Sequence, residues 1–137
     1  MQNVGGMRPK IFFFEYGWYM HSSTTLEWDG KKLLFWEAET GAGPQCKSVW
    51  EPLEPTLSQW KEFEIGLKKI GFNKWQRRYE NEDVVDGFYI EVKITFHQQI
   101  ICSCYNREPP NFHLFVELLN KLTKFDADDE DLIAVAL

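Results

Sequence analysis

The sequence predicts a two-layer α+β domain, a mainly antiparallel sheet with two helices packed on one face. Three observations predict it. Side chains alternate in runs rich in aromatic and β-branched residues at 11–18, 32–39 and 88–96. Two amphipathic stretches follow Thr56 and Pro110. The order along the chain is strand, hairpin, helix, three-strand meander, helix, which lets the helices cover one sheet face. With 137 residues the chain has the usual size of one domain, so residues 1–137 are read as a single core with a tail at 126–137.

The first strand, residues 11–18, puts Phe12, Phe14, Tyr16 and Trp18 on one face and Ile11, Phe13, Glu15 and Gly17 on the other. Apolar residues on both faces point to neighbours or cover on each side. Asp29-Gly30 between residues 25–28 and 32–39 signals a hairpin, because Gly accepts the positive φ of a type I′ turn. The second of these strands carries Leu34, Trp36 and Ala38 on one face, with Leu33, Phe35 and Glu37 on the other. Residues 41–55, with two glycines and three prolines, read as loop.

Thr56 and Gln59 fit a capping box, and Leu57, Trp60, Phe63, Leu67 and Ile70 follow at helical spacing. Gly71 sits where the left-handed C-terminal residue belongs. Residues 74–79, 88–96 and 100–105 read as three consecutive antiparallel strands. The middle one turns Phe88, Ile90, Val92, Ile94 and Phe96 to the core and Tyr89, Glu91, Lys93 and Thr95 outward. Pro109-Pro110 opens the second helix, whose stripe is Phe112, Phe115, Val116, Leu119 and Leu122. Five acids lie within residues 126–131, and the apolar hexamer 132–137 is too short for a stable helix by itself.

Hydrophobic residues at 44% and charged residues at 26% are ordinary for a globular protein and exclude disorder over most of the length. No apolar run approaches the roughly 20 residues that span a bilayer, so no membrane helix is expected. A net charge of −6 repels phosphate backbones, excludes a dedicated duplex nucleic-acid binder and attracts a basic partner. Cys46, Cys102 and Cys104 are too few and too odd for a disulfide framework, and residues 1–6 lack signal-peptide order; both point to the cytoplasm.

No catalytic or metal constellation emerges. Cys102 and Cys104 share one strand face, but nothing fixes Cys46 or His97 beside them, so they read as small core residues and no metal or cofactor is expected. His21, His97 and His113 are scattered, without a nucleophile motif. Glu15, Glu37 and Glu91 on neighbouring strands read as solvated acids rather than a glycosidase-type pair. Gly41-Ala42-Gly43 runs into Pro44 and forms no phosphate cradle. Lys68, Lys69, Lys74, Arg77 and Arg78 interleave with Trp75 and Tyr79, a pattern also seen in single-strand binders; with this net charge the rings read as core and the cations as rim.

The informative excess is aromatic, at 16%. Two helices cover one face of a sheet, so either the N-terminal region is folded over and the rings make an aromatic-rich core, or a patch of rings stays exposed, and such patches are contact sites. The candidates are Phe12, Phe14, Tyr16, Trp18 and Trp36, with Tyr89 and Glu91 on the open face. Trp60, Phe63, Leu67, Trp75, Tyr79, Asp86-Gly87, residues 88–94, Ser103, Asn106, Pro110, Phe112, Phe115 and residues 119–122 form a pattern that resembles small bacterial α+β proteins, over about residues 60–122. Similar small acidic proteins are often immunity factors of toxin systems or phage-defence modules, so the resemblance implies an immunity-like role. The expectation is a non-enzymatic cytoplasmic protein-binding module with a basic partner. The alternatives are a small enzyme using His97 or a carboxylate such as Glu91, and a structural homodimer.

Overall fold

The computed structural model describes residues 7–18, 22–39, 47–49, 52–83 and 87–123. Its strands are β1 (Ile11–Trp18), β2 (Ser22–Trp28), β3 (Leu33–Glu39), β4 (Lys47–Val49), β5 (Arg78–Glu80), β6 (Phe88–Thr95) and β7 (Gln99–Tyr105). The helices are α1 (Leu57–Lys69) and α2 (Phe112–Thr123). The strands form one seven-stranded sheet in the order β4-β3-β2-β1-β6-β7-β5, antiparallel except where β5 joins β7. The class is α+β.

The sheet centre follows from burial on both sides of the chain order. β1 pairs with β2 and β6, matching Phe14 with Leu26 and Val92, and Tyr16 with Thr24 and Ile90. This register puts every inward apolar position of β1, β2 and β6 on one side. Helix rings meet that same side: Trp60 and Phe63 of α1 lie 5.7 Å from Phe12, and Phe115 of α2 lies 5.7 Å from Phe14. Phe112 of α2 stacks on Tyr16 at 6.1 Å. Trp60 is completely buried among Phe12, Trp28, Phe63 and Phe96.

Local chemistry sets the helix ends. The Gln59 N–H donates to Thr56 Oγ1 at 3.1 Å and the Thr56 N–H donates to Gln59 Oε1 at 2.7 Å, completing the capping box. Gly71 takes φ 80°, as expected for the residue that leaves α1. Asn111, at φ 60°, precedes α2 and donates from Nδ2 to the Ile70 carbonyl at 3.0 Å, tying the two helices end to end.

Four expectations change. The β2–β3 connection is residues 29–32, longer than a two-residue type I′ turn; the Asp29 carboxylate accepts the Lys31 and Lys32 N–H groups at 2.8 and 2.7 Å, and Gly30 alone takes a positive φ, 102°. β4 lies inside the segment read as loop and pairs with β3. Residues 72–74 form a 3₁₀ turn, and β5 is only three residues long. β5 does not precede β6 in space as a meander requires. It runs parallel to the far side of β7, because β6, apolar at alternate positions, is held between β1 and β7, while Arg78 and Glu80 suit an edge.

Candidate functional site

Side-chain alternation gives the sheet a second face, opposite the one that meets the helix rings. One row crosses it in strict register: Trp36 on β3, Thr25 on β2, Glu15 on β1, Glu91 on β6, Ser103 on β7 and Arg78 on β5. Two carboxylates therefore stand side by side at the centre of the face. Directly opposed like charges disfavour each other, so this pair needs compensation.

Hydroxyl groups supply it. Tyr89 donates to Glu15 Oε2 at 3.1 Å, Ser103 Oγ donates to Glu91 Oε2 at 2.8 Å, and Tyr105 approaches Glu91 Oε1 at 3.4 Å. Gly17 makes the first contact possible. A Cβ there would lie 2.6 Å from the Tyr89 ring, so the missing side chain is the slot over which Tyr89 reaches Glu15. At the edge, Arg78 sits 4.9 Å over the Tyr105 ring and pairs with Glu80 at 3.1 Å. Thr25, flanked in register by Glu15 and Trp36, is buried, while Phe13, Glu15, Trp36, Tyr89, Glu91, Ile101 and Tyr105 are half-buried.

Ionised carboxylates accept and do not donate. Flanked by Tyr89, Tyr105, Trp36 and Phe13, the pair is suited to a guanidinium or ammonium group whose stem lies on rings.

The sequence candidates separate into two sets. Trp36, Tyr89 and Glu91 share this face. Phe12, Phe14 and Tyr16 do not: each is at most 2% exposed and forms the sheet–helix core. Their alternation was legible, but helix rings occupy the side they point to, so no partner reaches them in this arrangement. Trp18 is 36% exposed at the end of the same stripe, 5.6 Å from Phe88. Trp75 and Tyr79 are core, with Trp75 donating to the Pro110 carbonyl at 2.9 Å and Arg107 5.7 Å over the Tyr79 ring.

Cys102 and Cys104 are wholly buried, their sulfurs 3.6 Å apart. Contact with the Cys102 sulfur, then burial, holds the Cys104 thiol far above its ordinary value, so it is no ready nucleophile. Cys46 and His21 lie outside the described residues. His113 is exposed, and no group of three or more metal-binding side chains occurs among the described residues. Glu37 pairs in register with Thr24, one position off the Glu15 row, and points to the other side of the sheet. His97 lies beside Glu64, at 3.8 Å, a partnership with no signal in the sequence. No described helix is long and apolar enough to cross a membrane.

The chain matches no protein-family model, no curated protein and no solved structure.

Proposed function

We propose that the chain is a non-enzymatic protein-binding module, immunity-like or regulatory, that docks a basic partner on the Glu15–Glu91 face of its sheet. The observation that carries this reading is the paired carboxylate centre, held by Tyr89 and Ser103 and bordered by Trp36, Phe13 and Tyr105. An aromatic border gives area at low entropic cost, and an acidic centre selects a cationic anchor. The net charge of −6 steers the same partner over longer range. The setting is cytoplasmic, as the sparse cysteines favour.

The enzyme alternative has one observation in its favour, the His97–Glu64 contact at the edge of a cavity. No Ser, Thr or Cys is among the residues lining that cavity, and the His97 side chain is 74% exposed. A base without a nucleophile in reach makes binding the better reading.

The test is affinity capture with the wild-type chain, with Glu91→Lys, and with Lys61→Glu on the exposed side of α1. One protein retained by wild type and Lys61→Glu but lost from Glu91→Lys supports the proposal. Capture of nothing, or of the same protein by all three, overturns it. Sedimentation velocity on the same proteins identifies the case in which the occupant is a second copy of this chain.

A further inference from the structure

A second site lies away from the carboxylate face, where the C-terminal half of α1 meets the β6–β7 turn. It is a cavity of about 180 Å³ floored by Leu67, Phe72, Ile94, Phe96 and Ile100. Four of these are at most 5% exposed, so the floor is part of the core surface and is fixed in place. An engineered apolar cavity of about 150 Å³ takes one benzene ring, so this volume suits a single phenyl or branched aliphatic group.

The mouth carries both signs of charge. Glu64 projects from α1 with a side chain only 16% exposed, and its ion-pair partner is His97, at 3.8 Å. That separation is too long for a hydrogen bond, so the half-buried carboxylate keeps acceptor capacity for a ligand cation. Lys68, one helical turn on, lines the same cavity from an exposed position. An apolar floor below one anion and one cation is complementary to a net-neutral ligand that carries an ammonium and a carboxylate on one apolar stem.

We propose that this cavity binds an apolar α-amino acid, with the side chain on the Leu67–Phe96 floor, the ammonium on Glu64 and the carboxylate on Lys68. The site is separate from the Glu15–Glu91 face and stands or falls independently of it. Asn73 and Gln98 also line the cavity, from exposed positions.

Isothermal titration of the full chain with L-phenylalanine and L-leucine tests this, beside glycine, phenethylamine, 3-phenylpropionate and the neutral phenethyl alcohol. The expected result is saturable binding of the two apolar amino acids and none of glycine. Lys68→Met should weaken L-phenylalanine roughly tenfold while leaving phenethylamine unchanged, and Glu64→Gln should weaken both by a similar factor. Lys68 is exposed, so its variant folds even if Glu64→Gln does not. Absence of binding by either amino acid, binding of phenethyl alcohol as tight as that of L-phenylalanine, or indifference to Lys68→Met overturns the proposal.

Discussion

Glu15 on β1 stands directly across from Glu91 on β6, and each carboxylate accepts a hydroxyl hydrogen bond, from Tyr89 and Ser103 respectively. Two acids in this relation repel each other, and the hydroxyls supply the compensation. Under the proposed function, this pair is the anchor point for a partner's cation.

Replacing Glu15 by Gln removes the repulsion and keeps an acceptor for the Tyr89 hydroxyl. Stability of the isolated chain should rise by roughly 0.2–1 kcal/mol, less at high salt than at low. Urea unfolding at two ionic strengths measures this. A loss of stability at low salt would show that the hydroxyl bonds, not the repulsion, dominate.

Gly17 gives a sharper test of the face's construction. Gly17→Ala places a methyl group into the Tyr89 ring, with 2.6 Å between the added Cβ and ring atoms. Its backbone is extended and paired with Tyr89, so the penalty comes from the ring and not from φ. The expected cost is about 1–3 kcal/mol. In a Tyr89→Ala background the same substitution should cost far less, as a double-mutant cycle reads out.

Tyr16 links the core to pH. Burial, then the Glu108 carboxylate, push its phenol up to about 12. The folded chain therefore holds this proton more tightly than the unfolded chain does. The stability it contributes is complete below pH 10 and is lost as pH rises toward 12, roughly 2–3 kcal/mol in all. Denaturant midpoints of Tyr16→Phe should fall less steeply over that window than those of wild type; parallel curves would remove Tyr16 from the account.

Trp60 is the pivot between α1 and the sheet. It is completely buried, and its Nε1 has no hydrogen-bond partner, so the ring contributes through packing alone. Trp60→Ala should cost roughly 3–5 kcal/mol, and Trp60→Phe clearly less, because the partnerless N–H goes with it. Equal losses would mean that the indole N–H contributes.

What was readable in the sequence was local. Thr56 with Gln59, and Gly71 after Ile70, specify α1 within a few residues, and the structure places its ends there. The alternation of β6 is carried by Ile90, Val92 and Ile94, all buried. What escaped was long-range. Nothing near Arg78 says that β5 runs parallel to β7, since register with Ser103 depends on a strand about 25 residues away in a chain whose order does not follow space. The rings of β1 escaped for a related reason. A strand apolar at Phe12, Phe14 and Tyr16 and also at Ile11 and Phe13 does not reveal which side a helix covers. Glu15 and Glu91 were each legible as outward residues, but their adjacency required the β1–β6 pairing, and Glu64 with His97 required the packing of α1 beside the β6–β7 turn.

Side-chain oxidation footprinting of the captured complex tests the contact face most directly. Binding should protect Trp36, Tyr89 and Tyr105 from hydroxyl radicals while leaving Leu57 and Ile65, exposed on α1, as reactive as in the free chain. Protection of Ile65 with undiminished oxidation of Tyr89 and Tyr105 would place the partner elsewhere and contradict the assignment.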